Sequence, residues 1–321
     1  MGEPVILFSS LENLNSQGDA VANGGFKLQT VWVKLLRAHG HTAYRMTLDG
    51  HVLPWMIEPA PAISYVDAVQ MVESGQPVTV VTTWMAATLA LQLTDHPYFF
   101  DAELAHSSSG RHFEALKHWW PKFGGVATHA RHQHAWYLSQ FQTSIPIIQE
   151  WSDTDYWYPA PEQRVENRVG FMIEGPHTMG HIDIIRRMCQ EKELPVEFYH
   201  VQGSERDVID QLRSCDVFLG MNPGKHVLFG EGCPRSQQES LHAGCVLIAG
   251  DVLGNREFLI DGYTGYLVPR LNPQAMGERL IWALQHRQQM EIVRARGTDF
   301  VQKQFAPTES KYQQVKEWLR L

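Results

Sequence analysis

Two glutamates, Glu231 and Glu239, stand eight positions apart around the run GCPRSQQ. An ionised carboxylate accepts two hydrogen bonds, so each one fits a vicinal diol. A nucleotide sugar offers two such diols, one on its ribose and one on its sugar. Between the glutamates lies a cation, Arg235, beside Ser236, where a helix is expected to open. A helix N-terminus turns backbone N–H groups outward and suits a phosphate. Further on, Asp251-Val252-Leu253-Gly254-Asn255 reads as a glycine-containing turn whose N–H groups face the same place. A second reading of Glu239 stays open. Ser236-Gln237-Gln238-Glu239 has the spacing of a capping box, in which the glutamate only bonds back to the helix start.

These groups need a scaffold. The apolar run 245–249, between Gly244 and Gly250, is short enough for a strand buried on both faces. In open α/β sheets ligands bind outside the carboxyl ends of such strands. The alternation recurs along the chain, with strands predicted at 5–9, 42–48, 78–83, 97–100, 124–128 and 145–148, and again at 169–173, 196–200, 217–219 and, in a hairpin, 266–268. Helical spacing predicts helices at 26–39, 65–73, 84–93 and 112–120, then at 180–191, 205–213, 273–288, 290–302 and 307–321, the last capped by Thr308. Residues 51–63 read as a proline-rich loop. Successive βα units imply parallel sheets with right-handed crossovers. A length of 321 residues implies two such domains. Residues 150–161, acidic and aromatic with two prolines, read as the linker.

Other residues carry more than one reading. Gly24 and Gly25 are either a turn needing positive φ or a close approach to ligand at the first strand-to-helix crevice. Asp101 and Glu103 follow a strand end and read either as a solvated pair starting a helix-like loop or, as the family resemblance given below implies, as cleft residues. His129, His132 and His134 are a metal site, a polar helix start or an acceptor contact; no carboxylate or cysteine nearby completes a metal set, and no metal is expected. Trp55, Trp84, Trp119 and Trp120 either stack on sugar rings or belong to the core.

Composition narrows the classes. Hydrophobic content of 44% and charged content of 19% describe a globular protein. The net charge of −8 is spread over both halves, which excludes a nucleic-acid partner and limits membrane association to a peripheral one. Four cysteines without a CxxC pair make neither a disulfide framework nor a metal site. The first ten residues lack a signal pattern and no apolar run spans a bilayer, so the expected localisation is cytoplasmic.

The ordered combination of Glu231-Gly232, Glu239, AGCVLIAGDVLGNREFL at 243–259 and DGYTGYLVP at 261–269 resembles the signature region of glycosyltransferase family 4. These are retaining, nucleotide-sugar-dependent transferases. The resemblance implies the GT-B fold: two Rossmann-like, doubly wound parallel-sheet domains with an interdomain cleft. Residues 1–160 would form the acceptor side and 161–305 the donor domain, with 306–321 a terminal helix crossing back. It implies transfer of a sugar from a nucleoside diphosphate to a hydroxyl acceptor (a glycan, a lipid-linked sugar or a small molecule), without metal or other cofactor. Glu231 would hold the transferred sugar and Asp101 the cleft opposite, as the catalytic pair. Glu239 would hold the ribose, with Gly232, Cys233, Ser236, Leu253, Gly254, Asn255, Gly24 and Gly25 lining the donor. The chain departs from the family at Glu174 and Met179, where an arginine and a lysine usually neutralise the diphosphate. Phe100 stands where a histidine often precedes the acid, and Pro234 and Ser236 break the usual loop. Arg235 is the first choice of replacement cation, then Lys225 and His226, then His177. The departures leave an alternative: a degenerate GT-B protein that binds a nucleotide or glycan without catalysis.

Overall fold

The structure, a computed structural model, describes residues 3–10, 24–102, 108–173, 177–221 and 232–321. The chain divides into two compact units, residues 1–151 with 307–321, and residues 152–306. No helix among the described residues is long and apolar enough to cross a membrane.

The first unit is built on β1 (Val5–Ser9), β2 (Ala43–Thr47), β3 (Ala62–Ser64), β4 (Val78–Thr82), β5 (Tyr98–Asp101) and β6 (Gly125–Thr128). They form one sheet in the order β3-β2-β1-β4-β5-β6, every pair parallel. Between them run α1 (Gly24–Ala38), α2 (Tyr65–Glu73), α3 (Ala87–Leu93), α4 (Gly110–Trp119) and α5 (Arg131–Phe141). β1, VILFS, is buried at all five positions, as a central strand covered on both faces must be. Ser64 caps α2 in a capping box with Asp67.

Three expectations are corrected. Residues 62–64 are not loop but a short edge strand on β2. Residues 145–148 do not form a strand. Pro146 has no N–H to donate, and only a bridge remains, from the Thr128 N–H to the Pro146 carbonyl (3.1 Å) and from the Ile148 N–H to the Thr128 carbonyl (2.7 Å). Gly24 and Gly25 are the first residues of α1 itself, so neither makes a turn ahead of it.

The core of this unit centres on Trp32 of α1. Its ring meets Phe8 edge-on at 5.7 Å and Phe100 at 4.7 Å, and it stacks on Trp151 at 5.7 Å with 3° between planes. The final helix, α11 (Glu309–Leu319), adds Trp318 at 5.8 Å. Thr308 caps α11 through the Lys311 N–H, as the sequence predicts. Tyr312 stacks on His39 at 3.6 Å and bonds His41 at 2.8 Å.

The second unit carries β7 (Arg168–Phe171), β8 (Glu197–His200), β9 (Val217–Gly220), β10 (Val246–Gly250) and β11 (Tyr266–Val268), ordered β11-β10-β9-β7-β8 and all parallel. β11 therefore belongs to the parallel sheet and not to a hairpin. Its helices are α6 (Thr178–Glu191), α7 (Glu205–Ser214), α8 (Arg235–His242), α9 (Pro273–Gln285) and α10 (Arg287–Gln304). Arg213 of α7 ties down the linker, bonding the Tyr156 and Tyr158 carbonyls and lying 4.0 Å over the Tyr158 ring. All four cysteines are buried and free.

The amino end of this sheet is pinned by charge. Asp216, just before β9, accepts from Arg294 at 2.5 Å and from Arg287, while Arg294 also bonds the Asp216 and Gly244 carbonyls. Burial pushes the Asp216 carboxyl up. The Arg287 hydrogen bond, the Arg294 charge and the Asn167 N–H outweigh it, so the group lies below the usual carboxylate value. A depressed folded pKa stabilises above the unfolded pKa, and that stability is lost as pH falls through the folded value. Asp216→Asn is expected to cost about 3–5 kcal/mol in urea unfolding at pH 7, because it leaves the buried Arg294 guanidinium, and the half-buried Arg287 beside it, short of a charge. The gap to the native protein should narrow below about pH 4.

Candidate functional site

Several of the candidate residues lie outside the described residues: Glu231, Lys225, His226, Glu174 and Glu103. The rest of the donor-side set gathers at the carboxyl ends of two neighbouring strands. β9 ends at Gly220 and β10 at Gly250. Helix α8, RSQQESLH, is polar yet almost wholly buried: Arg235 is 7% exposed and Glu239 3%, and Gln237, Gln238, Ser240 and His242 are enclosed. Gly220 makes room for it, since a Cβ there would stand 2.5 Å from Cδ of Gln237. Gln238 donates to Cys233 Sγ, which ties Gly232-Cys233 to the helix beyond. The far end closes on Gly244, at φ +88, with the Cys245 N–H on the Ser240 carbonyl at 2.9 Å.

The capping-box reading of Glu239 is overturned. The helix begins two residues earlier than that reading needs. Pro234 is the N-cap and supplies no side-chain cap, and Ser236 is the second helical residue. Glu239 instead faces Arg235 one turn back, Oε1 to Nε at 3.5 Å. The two predicted donor contacts are thus one buried ion pair at a helix start.

The turn after β10 is held from within. Asn255 is buried and donates its side-chain amide to the Gly250 carbonyl at 2.7 Å. The Asp251 N–H bonds the Val268 carbonyl at 2.7 Å, and Arg256 clamps Asp251 with two bonds of 2.7 Å. Leu253 and Gly254 lead into a single 3₁₀ turn, Asn255–Glu257. Asn255 shapes the loop that carries them. Thr264 does the same for the next loop, donating to the Phe258 carbonyl and accepting from the Ile260 N–H.

In the first unit Asp101 ends β5 opposite Thr128 of β6. Its carboxylate is buried and accepts from Tyr137 at 2.8 Å, while its carbonyl accepts from Thr128. His129 and His132 lie just past the end of β6, both ring nitrogens of each enclosed and without a hydrogen-bond partner among the described residues. Burial, and then the nearby His129, push His132 down to about 4, so it is neutral at physiological pH. His134 is spoken for by the Ile145 carbonyl at 2.7 Å. Among the described residues no three His, Cys, Asp or Glu side chains come together to hold a metal. Gly24 and Gly25 open α1, and one turn on, Gln29 lines a narrow pocket, no roomier than a water molecule needs, with Phe8, Trp32, Thr82 and Phe100. Gln29 escaped the sequence reading because it sits inside a plain helical pattern; only the end of the neighbouring strand makes it a pocket residue.

The buried pair makes a quantitative expectation. Arg235→Met leaves an uncompensated buried carboxylate and should lower stability by about 3–5 kcal/mol, whereas adding Glu239→Gln should restore a large part. Equal losses in the single and double variants, measured by urea unfolding, would contradict the pairing.

Residues 181–300 match the family model of glycosyl transferases group 1. A search of curated protein sequences finds no match. Solved structures are similar over nearly the whole chain. Sucrose-phosphate synthase from Thermosynechococcus elongatus is 13% identical, with a TM-score of 0.71 over 99% of this chain and 98% of that one. HepE from Anabaena, in complex with UDP-glucose, is 11% identical with a TM-score of 0.65 over 99% and 100%. The catalytic domain of starch synthase IV from Arabidopsis thaliana, bound to ADP and acarbose, is 12% identical with a TM-score of 0.64 over 100% and 99%. With two parallel-sheet α/β units, the chain has the GT-B fold of glycosyltransferases, and its second unit matches the group 1 glycosyl transferase model over residues 181–300.

Proposed function

We propose that the protein moves a glycosyl group from a nucleoside-diphosphate sugar to a hydroxyl acceptor, with retention of anomeric configuration and without a dedicated metal. The observation that carries this reading is helix α8, a buried polar helix with an arginine–glutamate pair in its first turn, opening where β9 and β10 end. A chain gains no stability from burying so many polar groups in one helix, and their position is the one at which parallel sheets take ligands. The complexes of HepE with UDP-glucose and of starch synthase IV with ADP support a nucleotide donor.

In this reading Glu239 holds the ribose diol and Glu231 the transferred sugar. The diphosphate rests on the backbone of Gly232, Cys233 and Ser236 and on the turn Leu253-Gly254-Asn255. Arg235, with Lys225 as second cation, supplies the positive charge that the usual arginine and lysine would. The bond from the anomeric carbon to the diphosphate oxygen breaks, the acceptor oxygen joins the same face, and the acceptor proton passes to the leaving phosphate. Fixed N–H groups and a cation aimed at that oxygen stabilise the developing charge. Asp101, buried under Tyr137, orients the acceptor side, near the Gly24-Gly25 opening of α1.

A second reading, nucleotide or glycan binding without turnover, draws on Met179, which is 40% exposed in the first turn of α6 where a lysine is expected. Two measurements separate the readings. A thermal-shift panel of UDP, GDP, ADP and their sugars should raise the melting temperature with at least one, by the equivalent of about 2.7 kcal/mol at a hundredfold excess over Kd. Glu231→Gln should then keep the nucleotide shift and lose transfer by roughly 10²–10³-fold. Full turnover in that variant contradicts the assignment, and binding without turnover in the native protein selects the second reading.

A further inference from the structure

Arginines stacked on rings recur in the second unit, and most of them also meet an oxygen. Arg168 pairs with Glu197, Arg186 with Asp183, and Arg213 bonds two carbonyls of the linker. Arg279 of α9 is different. Its guanidinium carbon lies 5.1 Å from the centre of the Tyr266 ring and 5.3 Å from that of Trp282. Among the described residues that guanidinium makes no hydrogen bond or ion pair. Arg296, over Tyr263, also lacks an oxygen there, but it is exposed on an exposed ring, whereas Arg279 is half-buried.

Tyr266 opens β11, the edge strand of the second sheet. The cluster therefore lies at the outer edge of the sheet and toward its amino end, not at the carboxyl ends where the donor groups gather. Tyr266 is 1% exposed, and its hydroxyl oxygen is enclosed without a hydrogen-bond partner among the described residues. Burial pushes the phenol above its ordinary value, Arg279 draws it down and Asp261 adds to the rise, so the group keeps its proton and stays a donor. Trp282 meets the Tyr266 ring edge-on at 5.8 Å and stacks on His286 at 4.4 Å. The neighbouring acids Asp261 and Glu278 are exposed, and Asp261 is committed to the Leu267 N–H at 2.9 Å.

Stacking engages the face of a guanidinium and leaves its N–H edge free. A cation drawn partly out of water without an acceptor is costly, and so is a buried hydroxyl without a partner. One ligand satisfies both. An oxyanion accepts two parallel bonds from the guanidinium fork and a third from the phenol. The two rings hold Arg279 in place, so little side-chain freedom is lost on binding. A chain of net charge −8 repels a large acidic surface, which favours a small anion over an acidic macromolecule.

We propose a second ligand site here, which takes a small molecule bearing a phosphate or carboxylate group on Arg279 and Tyr266. It stands apart from the transferase reading. Calorimetry on the full chain would use inorganic phosphate and citrate as probes, each alone and with UDP or GDP in excess. At least one of the two anions should bind with a Kd of about 1 mM or tighter, and the tighter one names the group that the site prefers. Arg279→Met keeps a stem against the rings and removes the fork, and should weaken binding by about tenfold or more. Arg279→Lys keeps the charge without the fork and should fall between. Tyr266→Phe removes only the hydroxyl, and should weaken binding about fivefold or more. Its melting temperature should not fall, because that hydroxyl has no bond to lose. Nucleotide binding should be unchanged in all three variants. The proposal is overturned if neither anion binds at about 10 mM, or if either Arg279→Met or Tyr266→Phe binds as the native protein does. It is overturned equally if UDP or GDP displaces the anion, which would put the anion in the donor crevice.

Discussion

The constraint on which the donor side of this molecule depends is the cost of burying charge. Helix α8 takes an arginine, a glutamate, two glutamines and a histidine out of water within eight residues. Such a helix survives only if its charges meet each other and its amides find partners. The i,i+4 spacing of Arg235 and Glu239 brings the pair together on one face. Gly220 lets Gln237 lie against the strand end, and Gly244 lets the chain leave the helix with its carbonyls satisfied. The surrounding sheet, all parallel and apolar, provides the rigid ends from which these groups project.

The two ends of the second sheet divide the work. At the amino end, Asp216, Arg287 and Arg294 fasten α10 beneath β9 and serve stability. At the carboxyl end the loops are fastened internally, Asn255 to Gly250 and Thr264 to Phe258, so that their backbones hold shape. This is the expected division in an open α/β sheet, where ligands meet the carboxyl ends of strands. The first unit has the same polarity, with Trp32 knitting its helices while the strand ends carry the polar residues.

Much of the fold was legible in the sequence. Strands such as 5–9 and 217–219 are short apolar runs between turn residues, and their length and β-branching decide their type. The helices were readable from spacing and, at Thr308, from a cap. The errors share a cause, which is that local pattern was outweighed by partners. The 145–148 run looks like a strand, but Pro146 limits it to a bridge. The 62–64 strand was hidden among prolines because only β2 gives it a reason to extend. Ser236 looked like a cap until Pro234 took that position.

By itself the sequence determined the class of the protein: alternating βα units in two halves, and an ordered set of acids, glycines and turn residues on the second. These features come from short-range physics, since periodicity, turn chemistry and helix limits act within a few residues. Only the tertiary structure decided what each singled-out side chain faces. It set Glu239 against Arg235, sent His134 to the Ile145 carbonyl, and packed Trp84 and Trp120, far apart in the chain, against one apolar cluster. Burial and partnership are set by residues distant in the chain, and no local pattern contains them.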